Sequence, residues 1–244
     1  MLPIRDHNPS RRTPYVTIAL IVTNVVVFLS YWNLFADPAA LNRFFYNWAL
    51  IPAALSQGDL MHGLFTSMFL HGGVMHLGGN MLFLWIFGDN LEDEMGHLGF
   101  AIFYLAGGLL AGLAQYVTDP SSTVPMVGAS GAIAAVMGGY LLMFPKAQVD
   151  ILIILIVIFR ILPVPAWLML AIWFTLQLVS GSMAATEEGG VAYWAHAGGF
   201  IAGVILTLPL WLKRGGSAFW SRTRGHPPHP VVAYRHTPIP RIRR

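Results

Sequence analysis

Ser130 and His196 are a hydroxyl and an imidazole set in segments where polar side chains are costly. A neutral imidazole within hydrogen-bond reach of a serine is the pairing that makes an oxygen nucleophile. Ser130 stands in Gly128-Ala129-Ser130-Gly131, after a loop ending at Pro125 and at the head of small residues running to Gly139. That places it at a helix N-terminus, among backbone N–H groups without intrahelical acceptors. His196 stands in Ala195-His196-Ala197-Gly198-Gly199, where Ala195, Gly199 and Gly203 form a small-residue face suited to packing on the stripe Ala134, Gly138. His76 and Asn80, four residues apart, share one helix face and can present donors to one point; His71 lies just before them. The chemistry is acyl transfer. Ser130 attacks a carbonyl, and His196 takes its proton and returns it to the leaving amine. The Ser130 N–H, Asn80 and His76 bind the tetrahedral oxyanion. No carboxylate in these segments could orient His196, so a dyad is expected rather than a triad. Taken singly, each residue has a plainer reading as an N-cap serine, a structural histidine or a polar contact between helices. Their convergence is what favours chemistry.

The elements that must bring them together are membrane spans. Of 244 residues, 56% are hydrophobic and only 10% charged, against about 25% charged in an ordinary globular domain. A soluble enzyme is excluded on that ground. Apolar segments run from Pro14 to Trp32, Leu64 to Phe87, Leu98 to Val117, Gly128 to Phe144, Pro165 to Val179 and Gly190 to Leu212. Residues Ile151 to Phe159, cut off by Arg160, Pro163 and Pro165, read as a buried or surface-lying piece before the fifth span. The fold expected is an all-α polytopic bundle of six transmembrane helices over residues 14–212. A cytoplasmic segment 1–13 would precede it and a basic, Pro- and His-rich tail 213–244 without regular structure would follow, its charge suited to anionic lipid. The first apolar run is too long for a signal-peptide core and reads as a retained helix.

Charge placement gives the orientation. With a cytoplasmic N-terminus and six spans, all of the 14 Lys and Arg residues except Arg43 fall on the cytoplasmic side. The second, fourth and sixth spans then all run from outside to inside, so Asn80, Ser130 and His196 can meet in the outer half of the bilayer. Residues 33–63, with Phe44, Phe45, Tyr46 and Trp48, suit a loop lying in the interface. The chain shows no transit peptide or long soluble extension, from which a bacterial inner membrane is expected.

Other classes fit less well. The sequence contains 0 cysteines, which removes a thiol nucleophile and Cys-ligated metal. His71, His76 and His196 as zinc ligands would lack any accompanying carboxylate, so no metal or cofactor is expected. A proton-coupled transporter would call for internal repeats, which are absent. A formal charge of +3 gives no case for nucleic acid.

Four stretches together resemble the rhomboid family of intramembrane serine proteases: His71-Gly-Gly-Val-Met-His76-Leu-Gly-Gly-Asn80, Gly88-Asp-Asn-Leu-Glu92 with Gly96, Gly128-Ala-Ser-Gly131, and Ala195-His-Ala-Gly-Gly199 with Gly203. The resemblance implies a six-helix core with a site opening to the extracytoplasmic side. It also implies Ser130 as nucleophile, His196 as base, and Asn80 and His76 at the oxyanion. Glu92 and Gly96 would be structural. Transmembrane proteins would be the substrates, cut in or near the membrane at a small side chain. Trp173 and Phe174 on the fifth span would form the substrate gate. Two departures stand out. Some members carry an aromatic residue one turn after the serine, stacked on the histidine, where this chain has Ala134, so another group must hold the His196 ring. Many carry a Trp-Arg pair in the first outer loop, where only Arg43 and Trp48 occur, not adjacent. Ser67, Thr66, Gln177 and Ser180 are placed to wet a pocket. The alternative is a non-catalytic relative that binds transmembrane helices.

Overall fold

Small residues one helical turn apart decide which helices touch. In a computed structural model, which describes residues 2–8, 10–155, 158–183 and 192–228, the elements run in order. They are β1 (Leu2–Asp6), α1 (Tyr15–Ser30), α2 (Pro38–Trp48), α3 (Pro52–Ser56), α4 (Gly63–Thr66), α5 (Val74–Met95), α6 (His97–Thr118), α7 (Ser130–Met143), β2 (Gln148–Leu155), β3 (Ile158–Pro165), α8 (Ala166–Met183), α9 (Tyr193–Lys213) and α10 (Ser217–Thr223). By length and composition α6, α8 and α9 can each cross a bilayer, while α1 and α7 are shorter apolar helices.

Helix α7 is the axis of the bundle. Every residue from Gly131 to Tyr140 is buried, and α5, α6 and α9 surround it. Its contact with α9 is backbone to backbone. A Cβ on Gly199 would run into the Gly131 carbonyl, one on Gly203 into the Ala135 carbonyl, and one on Gly138 into the Phe200 carbonyl. Apolar side chains gain little from burial when the alternative is lipid, so this fit of small residues and the dispersion it allows hold the pair. Gly138 takes part as expected, but Ala135 rather than Ala134 faces Gly203. The 14 residues of α7 span about 21 Å, less than the roughly 30 Å of a hydrocarbon core. Ser130 at its head is thereby recessed below one end of the bundle.

The opposite end is knotted by charges. Glu92, in the last turns of α5, accepts hydrogen bonds from Val16 N at 2.9 Å, Thr17 N at 2.8 Å and Thr17 Oγ1 at 2.7 Å. The carboxylate thus satisfies the free first-turn amides of α1 and lies at the positive end of its dipole. Gly88 makes room for this, since a Cβ there would sit 3.0 Å from Thr17 Oγ1. Beside Glu92, Asp6 accepts from Asn90 Nδ2 at 2.7 Å and from the Tyr140 hydroxyl at 3.0 Å. The amides of Arg11 and Arg12 donate to Asp93.

Three expectations are corrected here. The chain is not all-α: β1, β2 and β3 form an antiparallel sheet in that order, with β2 joined to β1 at Leu2↔Leu152 and to β3 at Val149↔Val164. The β-branched run after Ile151 favours extended backbone, and Pro163 and Pro165 deny it a helix; both fall on an edge strand, where a missing N–H is tolerated. The segment 1–13 joins this sheet through β1. Arg5 Nε and His7 Nε2 meet the Asp150 carboxylate at 2.7 and 2.8 Å, and Asp6 and Asn8 are buried. The tail is ordered at its start, where α10 buries Phe219 and Trp220 Nε1 donates to Leu142 O at 2.9 Å; residues 229–244 lie outside the described residues. The second apolar segment is also not one helix, since α4, a 3-10 turn at Ser67–Phe69 and an extended stretch precede α5 at Val74. His71 therefore sits before the helix, not within it.

Two predictions follow from this packing. Gly203→Leu is expected to cost about 1–3 kcal/mol or more by pushing α9 off α7, seen as a lower midpoint of thermal unfolding in detergent. Ile201→Leu, on the exposed face of α9, is the control that leaves the midpoint in place. The second concerns pH. Burial, and then the Asp89 carboxylate, push Asp6 from 3.8 up to about 7, so the folded chain holds a proton that the unfolded chain has released. Its contribution to stability is complete below about 3.8 and is lost as pH rises through about 7. Opening of β1, followed by hydrogen exchange corrected for intrinsic rates, is expected to be about tenfold more frequent at pH 8 than at pH 6. Asp6→Asn should flatten that difference, and a difference that persists in the variant would place the titration elsewhere.

Candidate active site

The N-terminus of α7 is delivered to the site by the loop before it. Leu50 and Met126 exchange backbone hydrogen bonds of 3.1 and 2.8 Å, and Gly128 N donates to Ser67 O at 2.9 Å. Gly128 has φ +136°, and a Cβ there would sit 2.9 Å from His76 Nε2 and 3.4 Å from Ser130 Oγ. Glycine thus serves both the backbone conformation and the close approach of the imidazole.

Ser130 Oγ lies 2.7 Å from His196 Nε2. The backbone contacts of α7 with α9 set this distance, because His196 is one turn before Gly199 on one helix and Ser130 adjoins Gly131 on the other. The other ring nitrogen, His196 Nδ1, lies 2.8 Å from Gln177 Oε1 on α8. Trp173, one turn before Gln177, lies with its ring 5.8 Å from that of His196 at an interplanar angle of 35°. The group that holds the imidazole in place of an aromatic at position 134 is therefore the Trp173 and Gln177 face of α8. Sequence reasoning had given Gln177 only a pocket-wetting role; its i, i+4 spacing from Trp173 is the signal that could have found this.

His76 and Asn80 stand across the cavity. His76 Nδ1 accepts from Gly72 N at 3.3 Å, which puts the proton of a neutral ring on Nε2, beside Gly128. Asn80 Nδ2 donates one hydrogen to His76 O at 2.9 Å, and its second amide hydrogen is available to the cavity that it lines. Ser130, His196, His76 and Asn80 thus border a single cavity of about 800 Å³, with Trp173 on its wall. Phe174 does not line it and stacks on Phe200 with centroids 4.8 Å apart. His71 is also apart. Its backbone N–H and carbonyl are clasped by the Tyr31 hydroxyl at 2.8 and 3.0 Å, and its buried ring meets His76 edge to face at 5.1 Å. Of the other residues placed to wet the cavity, Ser67 lines it, while Thr66 donates to the Trp48 carbonyl. Among the described residues no three His, Asp or Glu side chains converge as a metal site.

This arrangement can present a hydroxyl to an imidazole acceptor and several N–H donors to an oxyanion beside it. Comparison with known proteins bears on which family uses it. The RHOMBOID-like protein 12, mitochondrial, of Arabidopsis thaliana is 28% identical over 209 residues, covering 78% of this chain and 56% of that protein. The Rhomboid protein 1, mitochondrial, of Saccharomyces cerevisiae is 33% identical over 143 residues, covering 57% and 39%. The Rhomboid protease GluP of Bacillus subtilis is 38% identical over 87 residues, covering 36% and 16%. The chain thus spans about half or less of the length of these relatives. Their mitochondrial names in a plant and a yeast lend no support to the expected bacterial inner membrane; the spanning helices support an integral membrane protein. The Rhomboid domain profile matches residues 58–213, more than half of the chain, and takes in both helices that meet at the Ser130 and His196 pair, so the chain belongs to the rhomboid family.

Proposed function

We propose that this protein is an intramembrane serine endopeptidase that cleaves transmembrane proteins in or near their membrane-spanning helix. The observation that carries this reading is the 2.7 Å contact of Ser130 Oγ with His196 Nε2 inside a cavity bordered by N–H donors. Ser130 is the nucleophile. His196 accepts its proton as the serine oxygen bonds to the scissile carbonyl carbon, then delivers that proton to the amine as the peptide C–N bond breaks. Water, deprotonated by the same imidazole, hydrolyses the acyl-enzyme and frees Ser130. The oxyanion accepts from the Ser130 N–H at the head of α7, from the free amide hydrogen of Asn80 and from His76 Nε2–H. A six-span core with both termini cytoplasmic and the cavity on the extracytoplasmic side fits the basic residues at both ends of the chain.

Substrate enters from the lipid past α8, with Trp173 and Phe174 as the gate. A helix presents no free carbonyl to a nucleophile, so the scissile stretch must unwind, which favours helix-destabilising residues near the cut. Close to Ser130 the cavity is bounded by Gly128, Gly131 and Ala132, which favours a small side chain there.

The test is cleavage of a panel of transmembrane substrates in proteoliposomes, with a fluorophosphonate probe for the serine. Ser130→Ala is expected to lose both labelling and cleavage, and His196→Ala to lose cleavage by at least about a thousandfold. Asn80→Ala should lower kcat by about ten- to a hundredfold with KM little changed, since its donor acts on charge present in the transition state. Bulky residues at the cleavage position should lower kcat/KM at least about tenfold. Folded wild-type protein that neither labels nor cuts would favour the helix-binding alternative, and cutting without Ser130 would overturn the mechanism.

A further inference from the structure

Helix α8 is buried at one end only. Its fully buried residues are Ala166, Met169 and Leu170, all in the first turns after β3. Beyond them, from Ala171 to Met183, no residue is buried. What holds this outer part is a short strip of contacts with α9. Trp173 meets the rings of His196 and Phe200 at 5.8 and 6.0 Å, Phe174 stacks on Phe200 at 4.8 Å, and Gln177 Oε1 meets His196 Nδ1 at 2.8 Å. Two of the contacts that seat the loose half of α8 are therefore made to the imidazole of the candidate base.

The Gln177 contact fixes more than a position. An amide oxygen can only accept a hydrogen bond, so the proton of a neutral His196 ring stands on Nδ1. The lone pair of Nε2 is then left facing Ser130 Oγ, 2.7 Å away. Without Gln177 nothing among the described contacts selects this tautomer. A ring with its proton on Nε2 points a donor at the serine and cannot take its proton. We propose that Gln177 is a positioning residue that sets the tautomer of His196, so that the base is competent only while the outer half of α8 is docked on α9. The proposal rests on the serine endopeptidase reading with α8 as the gate, and adds a regulation of that site. Swinging α8 aside to admit a helix from the lipid removes the Gln177 acceptor and the Trp173 ring together. The serine stays inactive while the gate is open and is activated when α8 returns over bound substrate. Seating and activation are then one event.

The experiment compares wild type, Gln177→Ala, Gln177→Leu and Gln177→Glu in proteoliposomes. Two readouts are used: the rate at which a small fluorophosphonate labels Ser130, which needs no gate opening for a helix, and kcat and KM on a transmembrane substrate. Gln177→Ala and Gln177→Leu are expected to slow labelling and kcat by at least about tenfold with KM unchanged. Gln177→Glu, which offers only acceptors, is expected to retain labelling and kcat. A merely structural contact would not be rescued by Gln177→Glu while Gln177→Leu, of similar size, stays slow. Wild-type rates in Gln177→Ala, or Gln177→Glu as impaired as Gln177→Leu, would overturn the proposal while leaving the Ser130 and His196 reading intact. Wild type that fails to label, or Ser130→Ala that still cuts, would overturn that reading and the proposal with it.

Discussion

The site depends on two backbones lying against each other in a place where hydrophobic burial cannot press them together. Gly199 on Gly131, Gly203 on Ala135 and Gly138 on Phe200 bring α9 onto α7 at successive turns. The hydroxyl and the imidazole sit next to the first of these contacts, so their separation is set by the least compressible part of the packing. A side chain added in the seam would not merely loosen the bundle. It would move the base by roughly the diameter of the added group, and a hydrogen bond of 2.7 Å has no reserve for that. On the proposed reading the small residues flanking the histidine are part of the catalytic geometry for this reason, although none carries chemistry.

The second constraint is water. Hydrolysis needs it and lipid excludes it, so a nucleophile within the bundle must be reached from one end. The shortness of α7 meets this need: a helix of 14 residues puts its N-terminal serine at the floor of a cavity rather than at a membrane surface. The loop that covers the remaining distance is held by the Leu50 to Met126 pairing and the Gly128 to Ser67 bond. Those bonds satisfy part of its backbone within the protein, as irregular backbone inside a bundle requires. The N–H groups freed at the head of α7 then face the same cavity, so one local feature supplies both access and oxyanion donors.

How much of this was legible in the sequence varied with the length scale of the signal. Ser130, His196, His76 and Asn80 stood out because a polar residue in an apolar run is conspicuous, and glycines at fourfold spacing named the pair of helices that pack. Ala135 was missed for Ala134 because neighbouring small residues look alike until the rotation of the helix is known. The strands were missed because a run such as Ile151 to Leu155 reads equally as buried helix or strand, and its partner β1 lies in a terminal segment far away in sequence. His71 looked like part of a span because hydropathy cannot see the break at Leu70 to Gly73, which exists to let the Tyr31 hydroxyl clasp the backbone. The link from Gln177 to His196 joins two helices with no charge between them, and single-sequence reasoning searched for a carboxylate instead.

The two ends of the molecule are built on opposite principles. At one end Glu92 closes α1 onto α5, Asp6 ties Tyr140 of α7 to Asn90 of α5, and the sheet and α10 lie over them. These are directed bonds in buried surroundings, charge-assisted at Glu92, and removing one partner leaves a buried polar group unmatched. At the other end glycine, alanine and methionine are among the residues bordering the cavity, and the outer half of α8 is held by ring contacts and one neutral hydrogen bond. Those contacts cost little to break and re-form. A bundle locked by charge at one end can release a helix at the other without losing its register, which is what an enzyme must do if its substrate arrives sideways through lipid. On the proposed reading the polar knot around Glu92 and Asp6 is part of the machinery, since a gate at α8 can be weak only if the opposite end is not.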